Sequence, residues 1–292
     1  MVKKVMSILL TLAMVSSFTA CFGGGELPSA EDILDRVVAS SSDVATYRCD
    51  LDVTISMALE GEGEEFEATM VTTTGSVVDL PGKQMEMDMT MGILVTDEDE
   101  MEVGLEMYLV DGVAYMLMDD GDSLDMWLKA EVPEEYWAEI DQIASQTELL
   151  GLAQIEVVGV EKVGGVDCYV VQISADAEQL WQMMAEQPGM MDEMDTEMEQ
   201  LFQEIAFGCS AKQWIAQDTY FLVKSEMGLS FEIDAEDWGI PVEEGGSISM
   251  VLTMDMQCYD YNQPVVIDLP PEAEEAIEVP FEYIEGYAGS GF

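Results

Sequence analysis

Tyr47-Arg48-Cys49-Asp50-Leu51-Asp52-Val53-Thr54-Ile55-Ser56-Met57-Ala58-Leu59 decides the fold. Tyr47, Cys49, Leu51, Val53, Ile55, Met57 and Leu59 alternate with Arg48, Asp50, Asp52, Thr54, Ser56 and Ala58. Successive side chains of a strand point to opposite faces, so this stretch reads as a long strand with one dry face and one wet face. The pattern recurs. Met85, Met87, Met89, Met91 and Ile93 alternate with Glu86, Asp88, Thr90 and Gly92, and Met101, Val103, Leu105, Met107 and Leu109 follow the same period. Asp111-Gly112 signals a hairpin into Val113-Ala114-Tyr115-Met116. Near the end Ile248, Met250, Leu252, Met254, Met256 and Cys258 alternate with polar residues. Shorter strands fit at 66–79, 125–131, 154–161, 167–174, 208–217, 220–226 and 229–234.

Helical periodicity is scarcer. Pro28, a Ser29 cap and the stripe Ile33, Leu34, Val37, Val38 predict one helix. Pro133 opens a second, with Tyr136, Trp137, Ile140, Ile143 and Ala144 on one face and Gly151 as its stop. A third stretch, 177–205, carries Leu180, Trp181 and Met184, breaks at Pro188-Gly189, and resumes with Met191, Met194, Met198 and Leu201. About ten or eleven half-wet strands need their apolar faces covered, and a sheet that large tends to curl. The expected fold is therefore α+β: one large curved antiparallel sheet, an open half-barrel, with helices over its concave face. A two-sheet sandwich satisfies the same alternation. The half-barrel domain is expected over 29–271, with 272–292 as a loosely held acidic and aromatic tail.

The first residues have a different character. Lys3 and Lys4 precede an apolar run from Met6 to Val15, and Phe18-Thr19-Ala20-Cys21 has the form of a lipoprotein cleavage site. The run is shorter than the ~20 residues a membrane span needs. Residues 1–20 are thus expected to be a signal peptide, Cys21 the lipidated residue, and 21–28, with Gly23-Gly24-Gly25, a flexible tether. This places the protein in the cell envelope, on the extracytoplasmic side, attached to the membrane through its N-terminal lipid. The net charge of −52 disfavours nucleic acid, which is bound through Lys and Arg. An anionic membrane surface would also repel the body of the chain. With 49% hydrophobic residues a substantial core can form.

Several ordered features resemble the LolA/LolB-like superfamily, and more closely its LppX/LprG-type lipoproteins. They are the lipobox, the short helix running into Tyr47 and a long strand, and Val110-Asp111-Gly112 with Tyr115 and Trp127. Gly164-Gly165-Val166-Asp167-Cys168-Tyr169, Trp214-Ile215-Ala216-Gln217-Asp218-Thr219-Tyr220 and Tyr261-Asn262-Gln263-Pro264-Val265 follow in order. The resemblance covers about 29–276 and implies an open curved sheet plugged by helices. It also implies a hydrophobic cargo such as a lipid, glycolipid or lipoprotein acyl chain, since several members carry these. This chain departs in its acidity and its methionine content.

The chemistry available is limited. The chain has no His, so Ser-His and Cys-His nucleophile pairs are excluded. No Gly-x-Ser-x-Gly elbow or phosphate-cradling loop occurs, and the expectation is a protein that is not an enzyme and needs no cofactor. The 24 methionines suit either a filled core or a pocket that fits irregular apolar ligands. In the second case Met85, Met87, Met89 and Met91 would line the concave face, and Trp137, Trp181, Met184, Met191, Met194 and Met198 the helical lid. A Met-rich Cu(I) site is a further alternative, and a filled-core module that senses or binds an envelope protein is another. Cys49, Cys168, Cys209 and Cys258 permit two disulfides in three connectivities, or four free thiols. Asp97-Glu98-Asp99-Glu100 and Asp119-Asp120-Gly121-Asp122 read as acidic hairpin tips, without the spacing of a Ca²⁺ loop.

Overall fold

The computed structural model describes residues 27–61, 64–95, 101–119, 126–133, 154–174, 208–234, 246–281 and 283–284. The leader, Cys21, the helical stretches at 134–150 and 177–205, and the acidic tip at 97–100 lie outside the described residues.

Helix α1 (Ala30–Ser41) begins where the sequence predicts. Ser29 is its N-cap: its Oγ accepts from the Asp32 backbone N–H at 3.1 Å and donates to the Asp32 carboxylate at 2.7 Å. Ile33 and Val37 are buried from this helix. The strands are β1 (Thr46–Gly61), β2 (Glu64–Asp79), β3 (Gln84–Val95), β4 (Met101–Val110), β5 (Val113–Asp119) and β6 (Met126–Glu131). They continue as β7 (Gln154–Val163), β8 (Val166–Ser174), β9 (Gly208–Ala216), β10 (Leu222–Asp234), β11 (Ser247–Tyr259) and β12 (Ile277–Glu278). The segment read as two strands, 220–226 and 229–234, is the single strand β10.

The twelve strands among the described residues belong to one sheet, in the order β12-β6-β5-β4-β3-β2-β1-β11-β10-β9-β8-β7. This excludes the two-sheet sandwich. The first and last strands in that order do not pair with each other, so the sheet is open, as a curved half-barrel is. Every pairing is antiparallel except that of β12 with β6, which is parallel. Six consecutive hairpin strands form one wing and β7–β11 the other. They meet at β1 and β11, whose register runs from Arg48 opposite Tyr259 to Glu60 opposite Ser247. The hairpin turns obey local chemistry. Asp111 and Gly112 have φ of 54° and 77°, the paired positive values of a tight two-residue turn between Val110 and Val113.

One hydrophobic cluster joins both wings, α1 and the C-terminal segment. It includes Ile33, Tyr47, Met87, Met107, Met116, Val171, Ile215 and Ile284, each no more than 4% exposed. The expectation of a loosely held tail is corrected for the part described. Residues 271–275 form a 3₁₀ turn, 277–278 add a strand, and Ile284 is 1% exposed. Burial of apolar side chains outweighs the acidity of this segment, because its carboxylates stay on the outside.

Cys49 and Cys258 form a disulfide across the β1–β11 junction, between residues 209 apart in the sequence. Cys168, also a candidate for pairing, is instead a buried free thiol; burial, first among its causes, pushes its pKa up. Its strand neighbours leave it among Val170 and Trp214, away from the disulfide.

Tyr261-Asn262-Gln263 locks the α1 end of the sheet. The Ala45 N–H donates to the Asn262 side-chain oxygen at 2.6 Å, and the Asn262 amide donates to the Asp43 carbonyl at 3.0 Å. Thr46 Oγ1 donates to the Gln263 carbonyl at 2.6 Å. The Tyr261 hydroxyl donates to the Leu222 carbonyl at 2.6 Å, and its ring packs on Phe221 and Tyr47. Burial, and then Tyr47, raises the pKa of that phenol. Asn262 has a φ of 57°, a left-handed conformation that Asn tolerates better than most residues.

Candidate functional site

Cross-strand register assembles the core face row by row. Met87 lies opposite Ser76 on β2 and Met107 on β4, and Met107 lies opposite Met116 on β5. These three methionines are 1–4% exposed. The next row towards the loop ends of β1 and β2 passes through Leu51, with Thr74, Met89 and Leu105 on one side and Met256, Ser225, Gln213 and Val171 on the other. The row after that passes through Val53, flanked by Thr72, Met91 and Val103, and by Met254, Met227 and Ala211. The face is thus a continuous apolar floor, rich in thioethers and interrupted at a few polar points.

Met85, Met87, Met89 and Met91 all lie on this face, in one strip of β3. Their burial is graded. Met85 and Met87 are 3% and 2% exposed and belong to the packed cluster, Met89 is partly buried against it, and Met91 is half-buried. Near the buried end of the strip a small gap of about 10 Å³, room for about one water-sized sphere, is lined by Met85, Met107, Leu109, Ala114, Val132, Phe281 and Ile284. The C-terminal segment therefore fills that end, and open apolar surface begins farther along, at Met89 and Met91. The proposed lid residues Trp137, Trp181, Met184, Met191, Met194 and Met198 lie outside the described residues, as does the Cys209 side chain. Among the described residues no group of three His, Cys, Asp or Glu is arranged to hold a metal, and no helix is long and apolar enough to cross a membrane.

Sequence reasoning missed the polar points. Thr72, Thr74 and Ser76 on β2 are 6%, 7% and 8% exposed, and Gln213 and Ser225 are 1% and 3% exposed. In Met70-Val71-Thr72-Thr73-Thr74-Gly75-Ser76-Val77-Val78 the alternation is weak, so it does not reveal which side faces inward. Pairing with β1 settles it. Val53, Leu51 and Cys49 lie opposite Thr72, Thr74 and Ser76, so those three take the inner face and Val71 the outer, where it is 43% exposed. The available signal was the length match of β1 and β2 across a short loop.

The outer face is acidic. Asp88 lies between Glu106 and Gly75, and Gly75 lies opposite Asp50. Burial, then Asp88, raises the Glu86 pKa, and the same two causes raise that of Glu106. Burial, followed by Glu86, Glu106 and Asp88, pushes Tyr108 up to about 12. On the other wing Lys224 pairs with Glu226 at 2.7 Å and Asp255 at 2.8 Å and lies over the Trp214 ring. Trp214 donates its indole N–H to Glu161 at 2.8 Å. Like charges directly opposite one another across strands are destabilising, and this face offsets that by staying in water.

No curated protein matches the chain. Solved structures similar to it include LprF from Mycobacterium bovis, at 12% identity and TM-score 0.42, covering 82% of this chain and 96% of that one. The lipoprotein LppX from Mycobacterium tuberculosis is similar at 13% identity and TM-score 0.36, covering 82% of this chain and 98% of that one. The MucA/MucB complex of Pseudomonas aeruginosa is similar at 13% identity and TM-score 0.27, covering 84% of this chain and 59% of that one. A model of DUF6612, a family of unknown function, matches residues 29–278, and the chain belongs to that family.

Proposed function

We propose that this protein is an extracytoplasmic lipoprotein, tethered through Cys21, that binds or carries a hydrophobic ligand against the concave face of its sheet. The ligand class is a lipid, glycolipid or lipoprotein acyl chain. The observation that carries this reading is the graded burial of one methionine strip. Met85 and Met87 are sealed in the core, while Met89 and Met91 on the same face keep partly open thioether surface. A closed core would bury all four alike. Apolar contact there drives binding at roughly 25 cal/mol per Å² removed from water, and flexible thioethers adapt to ligand shape. The protein acts by holding its ligand and performs no catalysis.

Native mass spectrometry on residues 22–292, purified without detergent and then solvent-extracted, tests this. A bound mass released as acyl lipid is expected, and Met89→Asp should reduce its occupancy while secretion continues. A clean apo mass with no uptake from lipid extract refutes the reading. One observation favours a second reading, a filled-core module that binds an envelope protein: Phe281 and Ile284 already pack into one end of the face, around a gap of about 10 Å³. The apo result would move the assignment there.

A further inference from the structure

The outer face carries one arrangement of charge and ring twice, once with its cation and once without. On the second wing Glu226 and Asp255 are directly opposite on β10 and β11. Two residues before Glu226 stands Lys224, opposite Trp214. Its ammonium reaches both carboxylates, at 2.7 and 2.8 Å, and lies 5.4 Å from the centre of the Trp214 ring. On the first wing Asp88 and Glu106 are directly opposite on β3 and β4. Two residues before Asp88, the lysine's place is taken by a third carboxylate, Glu86, opposite Tyr108. Opposed carboxylates are destabilising, and among the described residues no ion pair holds these three. Arg48, two strands from Glu86, pairs with Asp260 at 3.8 Å. Lys129 stands three strands from Glu86, beyond Tyr108 and Tyr115. The aromatic part is equally defined. Tyr108 is 7% exposed, and its ring packs on Trp127 at 5.9 Å between centres. Its hydroxyl stands among Glu86, Glu106 and Asp88, whose charges act on it after burial does. That hydroxyl makes no hydrogen bond to the protein among the described residues, and it is not sealed from water, so a donor can reach it.

We infer that Glu86, Asp88, Glu106, Tyr108 and Trp127 form a receptor on the outer face for an arginine side chain of a protein partner. Charge complementarity selects a cation, and the residue set selects its kind. A guanidinium carries five N–H donors in a planar fork, enough for two opposed carboxylates and a phenol oxygen, and its face stacks on an indole. Asp88 and Glu106 are roughly 5 Å apart at their Cβ atoms, and Tyr108 is roughly 7 Å along the strand from Glu106, within the reach of one such fork. A quaternary ammonium has no donor for these oxygens. A lysine ammonium bridges a carboxylate pair, as Lys224 does, but it is a compact point charge and covers less of the site. The chain treats its own arginine in the same manner: Arg36 donates to the Tyr220 hydroxyl at 2.8 Å and lies 5.0 Å from the centre of that ring. A metal ion fits worse, since among the described residues no group of three His, Cys, Asp or Glu is arranged to hold one. The receptor is on the opposite side of the sheet from the methionine strip, so it does not rest on the lipid-binding reading.

The test titrates the full chain with the peptide acetyl-Gly-Arg-Gly-amide and follows the indole N–H signal of Trp127 by NMR, assigned through its loss in Trp127→Phe. The comparison peptides carry lysine or citrulline, the neutral analogue of arginine, at the central position. The arginine peptide is expected to shift the Trp127 signal to saturation. The citrulline peptide should bind at least about tenfold more weakly and the lysine peptide about threefold. Asp88→Asn with Glu106→Gln should weaken the arginine peptide about tenfold. Glu272→Gln with Glu274→Gln removes the same charge from an exposed segment and should change affinity less than about twofold. The Asp88 and Glu106 variant should also unfold at the same urea concentration or higher, because it removes a repulsion. Should it fail to fold, Glu86→Gln and Tyr108→Phe, each expected to cost about threefold, carry the comparison instead. Equal weakening by the two double variants overturns the inference, since it reduces the binding to general attraction by an acidic chain. Equal affinity for citrulline overturns it too, as does a Trp127 signal that no arginine peptide moves.

Discussion

Ile284→Ala tests whether the C-terminal segment is part of the core. Ile284 is 1% exposed and packs with Met85, Met107, Leu109 and Ala114 around the small gap at that end of the sheet. Replacing Ile by Ala deletes three carbons, and at about 0.8 kcal/mol for each buried CH₂ the transfer loss is about 2.4 kcal/mol. A cavity contribution adds to this, because neighbours relax only partly, and Ile-to-Ala changes in cores fall at about 2–5 kcal/mol. The gap of about 10 Å³ already present shows that the side chains here do not close over every void. The expected destabilisation is about 3 kcal/mol. Ile277→Ala, in the same segment but 51% exposed, should change stability by less than about 0.5 kcal/mol. The assay is urea unfolding followed by tryptophan fluorescence, read as a shift of midpoint at constant slope. If Ile284→Ala loses less than about 1 kcal/mol, or matches Ile277→Ala, the segment is not part of the core and the plugged end of the face is wrongly drawn.

The Cys49–Cys258 disulfide, which closes a loop of 209 residues, should contribute about 5 kcal/mol by chain entropy. A Cys49→Ala, Cys258→Ala variant that unfolds within about 1 kcal/mol of the parent would contradict this. Glu86 and Glu106 bind their protons more tightly in the fold than in the unfolded chain, since burial and Asp88 raise both pKa values. The stability this gives is fully present below the ordinary carboxylate pKa and is lost as pH rises through the raised native values. Glu86→Gln should therefore raise the melting temperature at pH 8 and lose that advantage by pH 4. An equal effect at both pH values would reject the electrostatic cause.

The share of the fold legible in the sequence follows from the range of each interaction. Strand alternation is a property of neighbouring residues, so β1, β3, β4 and β11 could be read directly from their periods. The Ser29 cap and the Asp111-Gly112 turn are equally local, and both occur as written. The strip of methionines on β3 was legible for the same reason. Its division into a sealed half and a half-open half was not. That division depends on Phe281 and Ile284, nearly two hundred residues away in sequence, arriving over one end.

What the sequence determined by itself was the class: many amphipathic strands, few helical stretches, an acidic outer face and no histidine chemistry. Tertiary structure alone decided which strands are neighbours, because alternation specifies a face and never a partner. The β1–β11 junction joined Cys49 to Cys258 and left Cys168 free, a choice that spacing could not make among three connectivities. The same register turned Thr72 and Thr74 inward, because β2 must follow the face that β1 buries.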